Sequence, residues 1–501
     1  MKIKPLHISL FLFLVLGLLF GLSFLSTKST TDTEGFHVAN TTVKYPTTAT
    51  LLQQEPTDSV SDEKPILVLE QVTKQIEPIE VEKDKASDTL LKYQSIFTDK
   101  KEKVVLPDIS KIDSTTIQRI AYPNNTFLSE LKQKIQSNKC RIIHYGDSQL
   151  EGDRITGYLR NRLQKLYGGS GPGFIPIKQA YHQISAVVKH SNNWTRHPLF
   201  DPTQQKFSHK KYGAFLSVSR FNSLEKDSIS TDSSSTTKAT ISISPSRITY
   251  RKFRNYSKIS LHYGNCTKPT SIKVFRDDEL VLQDSLSTDG NYHAYTINRS
   301  LNAKEIKIEL ESTSSPDFYG LTLDGKSGIQ IDNVAMRGAS GNHFTRNNKT
   351  TYKNMLKELD PKIIIMQFGG NVVPYLKDSL AVDKYTKNIR WQVNRIRSLK
   401  SNLQFLFIGP TDLCTSKNGK MVTYELLPYL NQQLKASCLE NNVAYWDMFN
   451  AMGGNGAMEL WVEKNLAGKD YVHFTPKGTK YISELFFISL YLDLQKKNIN
   501  E

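Results

Sequence analysis

Five short apolar runs, 141–145, 329–335, 363–368, 403–408 and 443–446, alternate with amphipathic stretches in the chain beyond about residue 115. This is how a parallel sheet with covering helices reads, and most of the runs end in small or polar residues, where open α/β sheets hold their ligands. The helical stretches are 155–166, with Ile155, Leu159, Leu163 and Leu166 on one face, then 385–399, 428–439 with Pro428 in the first turn, and 479–494. The interval between the first two runs is the exception. An ordinary crossover needs a few tens of residues, whereas this one extends from Leu150 to Gly328. From 181 to 327 the sequence turns to Ser, Thr, Tyr and β-branched residues, with alternation at 239–245, 258–263, 271–275 and 305–310 and turn signals at Asp289-Gly290 and Asp324-Gly325. The expectation is an all-β sandwich or jelly roll inserted into an α/β domain.

The 501 residues exceed one domain, and only 38% are hydrophobic, which suggests a polar segment beside the folded part. That segment is 26–114, rich in Thr, Ser, Asp, Glu, Lys and Pro, and it reads as a disordered stalk. Before it, Lys2, Lys4 and His7 precede an almost unbroken apolar run, 8–25, of bilayer-spanning length. The run reads as an export signal: an uncleaved inner-membrane anchor with the folded part facing the periplasm, or a cleaved signal and a secreted protein. The expected organisation is therefore an anchor at 1–25, a stalk at 26–114, an α/β domain in two parts at 115–180 and 328–501, and the β module at 181–327.

Lys and Arg exceed Asp and Glu by 65 to 49, a formal charge of +16, yet no dense basic run appears. The most basic stretch, 251–254, lies in strand-like sequence and reads as a solvated sheet face. Diffuse attraction to an anionic envelope fits this charge, and nucleic acid is not an expected partner. The four cysteines, Cys140, Cys266, Cys414 and Cys438, have neither metal-site spacing nor disulfide-scaffold density; isolated buried thiols are expected, with one disulfide left open.

The chemistry is carried by four blocks. Gly146-Asp147-Ser148-Gln149 follows the first run, placing a serine on a tight turn where the N–H groups opening the next helix can face a developing oxyanion. Alone it is an ordinary turn and capping sequence. Three further blocks agree with it: Arg337-Gly338-Ala339-Ser340-Gly341-Asn342, Gly369-Gly370-Asn371, and Asp470-Tyr471-Val472-His473. In this order the blocks resemble those of the SGNH/GDSL hydrolases, over roughly 115–180 and 328–495. The resemblance implies a flavodoxin-like five-stranded parallel sheet with Ser148 as nucleophile and His473 as base, oriented by Asp470. It also implies an oxyanion hole from Ser148 N–H, Gly341 N–H and the Asn371 amide. The family often has Leu at the position of Gln149 and Asp at that of Val372, and the second difference bears on how Asn371 is held. Gly341, between a small and a polar residue, is preferred to Gly338, which then serves only the turn.

Other features take plainer readings. His343 reads as a polar surface residue, Gly168 to Gly173 as a bend lacking the Lys-Ser/Thr of a phosphate loop, and Asp147 and Asp153 as a turn residue and a helix-start charge. Trp194 reads as core. No metal or cofactor is expected. An SGNH site interrupted by a β module resembles the peptidoglycan O-acetylesterases, whose inserted module is carbohydrate-binding-like, and the comparison draws also on His144-Tyr145-Gly146-Asp147-Ser148-Gln149 and Gly171-Pro172-Gly173-Phe174. It implies removal of O-acetyl groups from an envelope glycan, chiefly peptidoglycan. Transfer of the acetyl group to a sugar and non-catalytic glycan binding stay open as alternatives.

Overall fold

The computed structural model describes residues 112, 114–181, 183–222, 235–299 and 303–496, with short pieces between residues 14 and 48. The chain divides into two units, Met1–Asp62 and Glu63–Glu501. In the first, strands Glu34–Val38 and Thr41–Lys44 pair antiparallel and Thr27–Lys28 joins the other edge of Glu34–Val38. This corrects the stalk reading locally, because the Thr, Val and Phe of these segments favour strands despite the polar composition around them. Residues 51–111, the rest of that stalk, and most of the apolar run 8–25 lie outside the described residues. Among the described residues no helix is long and apolar enough to cross a membrane.

In the second unit, β1 (Lys139–Gly146), β2 (Gly328–Ala335), β3 (Pro361–Gln367), β4 (Gln404–Ile408) and β5 (Ala444–Trp446) form one parallel sheet in the order β2-β1-β3-β4-β5. This is the flavodoxin-like order, with a switch point beside β1. Successive residues point to opposite faces. Ile142, Ile331, Ile363 and Ile365 pack under α1 (Asn125–Gln136), α2 (Arg154–Tyr167) and α6 (Pro476–Gln495). Ile143, Tyr145, Ile364 and Phe407 pack against α3 (Lys349–Leu359), α4 (Ser379–Leu399) and α5 (Leu427–Glu440). Both faces are therefore covered, which is why the strands read as continuous apolar runs. Helices α1 and α3 lie outside the expected stretches; each is opened by an asparagine, with Asn124 accepting from Phe127 N–H (2.8 Å) and Asn348 from Thr351 N–H (3.0 Å).

The inserted module is a β-sandwich. One antiparallel sheet runs His293–Asn298, Lys258–Gly264, Asp317–Asp324, Ser217–Arg220, Thr195–Pro198, and the other Glu279–Ser285, Thr270–Arg276, Ile306–Ser312, Thr237–Pro245, Ala186–His190. Ile241, Ile259, Leu261, Ile308 and Leu321 fill the space between them with Trp194, which is fully buried as core. The expected boundary at 181 moves upstream, because Gly173–Ile175 already pairs with Asp317–Asp324. Glycines permit this path: a Cβ on Gly171 would lie 2.2 Å from the Leu323 carbonyl oxygen and one on Gly173 2.6 Å from that of Ile331. The stretch Arg251–Arg254, expected on a sheet face, is a single helical turn that buries Phe253 beneath the Arg160 guanidinium, 5.0 Å from the ring centre.

Charged groups join the module to the sheet. Arg141 of β1 donates from Nη1 to both carboxylate oxygens of Asp332 on β2 (2.7 and 2.8 Å) and from Nη2 to Asp324 at the end of a module strand. Asp332 also accepts the Phe174 N–H at 2.9 Å. Removing one partner from a buried pair costs about 3–5 kcal/mol because the other charge is left uncompensated. Asp332→Ala is expected to lower the urea midpoint by a corresponding amount; a loss under about 1 kcal/mol would show that the cluster does not hold the joint.

Candidate active site

The carboxyl end of β1 runs into a turn that only glycine can begin, since a Cβ on Gly146 would lie 2.7 Å from the Leu150 side chain and 3.1 Å from the Gln367 carbonyl oxygen. Asp147 accepts the Gln149 N–H at 3.0 Å, and Ser148 then opens a 3-10 helix, Ser148–Asp153. As the first residue of a helical turn, Ser148 has an N–H with no partner inside the helix.

The histidine arrives on the loop before α6. There Asp470 Oδ1 accepts the N–H groups of Val472 (3.1 Å) and His473 (3.0 Å), while Gly468 N–H donates to the His473 carbonyl at 2.8 Å. Thr475 and Pro476 begin the helix, with Thr475 Oγ1 accepting from Gly478 N–H at 3.1 Å. Although burial raises its pKa, these N–H groups and the imidazole hold the Asp470 carboxyl below its ordinary value. His473 Nδ1 lies 2.7 Å from Asp470 Oδ2, and its Nε2 lies 2.8 Å from Ser148 Oγ. A proton on Nδ1 donates to the carboxylate and leaves Nε2 to accept from the serine hydroxyl.

Asn371 sits in the 3-10 helix Gly370–Tyr375 that follows β3. Its amide donates to the Ala339 carbonyl (3.1 Å) and to Asp147 Oδ2 (3.3 Å), so it is held without help from position 372. Ser148, Asn371 and Gly338 line one cleft of about 300 Å³, with Tyr375, Leu413 and Tyr424 among its other walls. Gly338, read as a turn residue alone, thus reaches the cleft. Gly341 is buried, and a Cβ there would lie 2.9 Å from the Phe368 ring.

Sequence reading missed two residues that fasten this arrangement. Arg154 donates to the carbonyls of Ser148 (3.2 Å) and Phe474 (3.1 Å), tying the serine turn to the histidine loop. Gln149, read as a neutral departure, donates to the Val472 carbonyl at 2.7 Å. The blocks named their positions, but nothing in the spacing showed that two loops more than 300 residues apart needed fastening. Other readings change or gain detail. His343 is buried beside Phe200, and burial lowers its pKa to about 4. Asp153 stands at the start of α2 as read, and its carboxylate also pairs with Arg160 of that helix (2.5 and 3.1 Å) and with Ser185. The Gly168 to Gly173 stretch is a close-packed passage between sheet and module. The four cysteines are buried and free, and no cluster suited to a metal ion occurs among the described residues.

Residues 310–481 match the GDSL-like lipase/acylhydrolase family. The α/β domain has the SGNH/GDSL hydrolase fold. The match begins near the end of the insertion, so Ser148 falls outside it and joins the family's later blocks through the pairing of β1 with β2 and β3. No curated protein matches the chain. Among solved structures, the hydrolase resembles a peptidoglycan O-acetylesterase at 19% identity and a TM-score of 0.57, covering 75% of this chain and 97% of that one. A family two carbohydrate esterase from Clostridium thermocellum matches at 9% identity and TM-score 0.22, over 52% of this chain and 93% of its own. An acetyl-xylooligosaccharide esterase from Geobacillus matches at 16% and 0.24, over 32% and 73%.

Burial raises the Asp147 pKa to about 6, against the pull of the Gln149 N–H and His473. A carboxyl whose folded pKa lies above its unfolded value contributes stability that is complete below about pH 4 and is lost as pH rises through about 6. Relative to Asp147→Asn, the wild-type hydrolase is expected to lose melting temperature between pH 5 and pH 8. A pH-independent difference between the two would contradict a buried, late-ionising Asp147.

Proposed function

We propose that this SGNH hydrolase is an exported serine esterase that removes O-acetyl groups from a cell-envelope glycan, peptidoglycan foremost. The observation that carries the reading is the continuous relay from Ser148 Oγ through His473 to Asp470, with links of 2.8 and 2.7 Å. His473 Nε2 takes the Ser148 proton as Oγ bonds to the acetyl carbonyl carbon. The carbon–oxygen bond to the sugar then breaks, the sugar oxygen takes that proton, and acetyl-Ser148 remains. Water attacks next, giving its proton to His473, and acetate leaves as the serine is re-protonated.

Asp470 is suited to stabilise the imidazolium formed in both halves. The oxyanion is assigned to Ser148 N–H and to the Asn371 amide hydrogen that leaves its long 3.3 Å bond to Asp147, with the 338–341 turn, Gly341 N–H included, as third side; each donor in such a hole is worth roughly 2.7–4 kcal/mol. Glycan as substrate is supported by the fold shared with a peptidoglycan O-acetylesterase and by the β-sandwich in the same unit. Export is supported by the basic, then apolar, amino-terminal sequence.

The test is acetate release from O-acetylated peptidoglycan by wild type and Ser148→Ala. Loss of the nucleophile is expected to lower turnover by a factor on the order of 10⁶ with an unchanged circular dichroism spectrum. Retained release would remove Ser148 from the mechanism, and acetylated sugar forming faster than acetate would identify a transferase.

A further inference from the structure

A second cavity, about 370 Å³, opens between the hydrolase and its β module and shares Gly338 with the catalytic cleft. One wall is hydrolase, with Glu151 and Arg337; the other is module, with Tyr181 and Arg196. The charges on these walls are unequally matched. Arg337 lies over the Tyr181 ring, 4.8 Å from its centre, and 3.5 Å from a Glu151 oxygen. Asp201, also at the cavity, has one carboxylate oxygen, Oδ1, accepting from Thr203 through N–H at 2.9 Å and Oγ1 at 2.7 Å.

Arg196 has no such partner. Its Nε donates to Ser217 Oγ at 3.0 Å, and among the described residues no carboxylate lies within ion-pair distance of it. Burial lowers its pKa to about 10, which still leaves a full cation at neutral pH. A half-buried guanidinium without a carboxylate is incompletely compensated, and its planar fork suits a bidentate acid. The same cavity holds other unused polar atoms: Gln179 Nε2 and Gln183 Oε1 are buried without hydrogen-bond partners. A cation, an amide donor and an amide acceptor beside an exposed tyrosine ring form a set suited to a sugar bearing an acid.

We propose that the acetylated glycan processed at Ser148 also carries a carboxylate, and that this carboxylate docks on Arg196 in the cavity between hydrolase and module. The proposal rests on the acetylesterase reading of the triad. It gives the module a part in substrate selection, since an acetyl ester in the cleft would be joined past Gly338 to an acidic group. The acid could belong to a uronate ring or to the lactyl or peptide part of a muropeptide, and both present the same carboxylate chemistry.

Full-length Ser148→Ala protein, which should not turn the ligand over, is titrated calorimetrically with two pairs: a muropeptide and its carboxamide, and a uronate oligosaccharide and its carboxamide. At least one acid is expected to bind about tenfold tighter than its amide, the worth of one charge-assisted contact, and the pair that shows this names the source. Arg196→Gln in the same background should bring the ratio close to one, with Arg196→Lys between. Equal affinities within both pairs, or an acid preference that survives Arg196→Gln, overturns the proposal; the ligand pairs test it even if Arg196→Gln does not fold. Acetate release by the wild type is scored separately. A protein that discriminates acid from amide but releases no acetate would keep the docking site and lose the esterase reading.

Discussion

One guanidinium holds the two halves of this molecule in register. Arg141 lies in the central strand of the parallel sheet, yet its two carboxylate partners come from the neighbouring strand and from the inserted sandwich. Both acids and the arginine are nearly or wholly withdrawn from water. Such a cluster need not exceed an apolar packing in stability, but it tolerates no missing member, and so it specifies a single docking of module on sheet. The Phe174 N–H bound to Asp332 extends the same constraint to the strand that begins the module.

That constraint explains how an insertion of this length leaves the sheet undisturbed. The chain departs after α2 and returns at β2 almost to the same point: Ile329 N–H donates to the Gly168 carbonyl at 3.0 Å and Gly325 N–H to the Ser170 carbonyl at 2.9 Å. The crossover therefore closes as a short one would. The long excursion adds little closure cost, because that cost grows only logarithmically with loop length. The module is more than an appendage. Leu199, Phe207, Tyr212 and Phe215 pack into the hydrolase's own core beside Tyr145, whose hydroxyl donates to the Ala214 carbonyl at 2.8 Å. The sandwich consequently forms one wall of the cavity beside the catalytic cleft.

The sheet and its principal helices were legible because buried strands and amphipathic helices leave strong periodic signals. The sandwich was legible from its alternation, and Ser148, Asn371 and the pair Asp470 and His473 from their block residues. The start of the module at 173 was not, since Gly173–Ile175 is too short to show a period and its pairing is set by a strand nearly 150 residues later. Nor was the burial of His343 beside Phe200, or the use of Arg251–Arg254 as a helical turn beneath Arg160, because both depend on neighbours brought in by the fold. Arg154, Gln149 and Arg196 share the same reason. Their roles lie in contacts between distant loops, and a lone arginine or glutamine carries no sign of its partner. The close packing of Gly341 against Phe368 is likewise recorded by no motif.

The central claim is that one serine, activated across the gap between the first and last blocks, carries the acetyl group. It is tested most directly by quenching the enzyme with acid during turnover of an acetylated glycan and mapping the chain by peptide mass spectrometry. The account expects a single acetyl group on the peptide containing Ser148, appearing before steady-state acetate release and absent from Ser148→Ala. Acetate production with Ser148 unmodified throughout, or an acetyl group that accumulates at another residue on the same timescale, would contradict it.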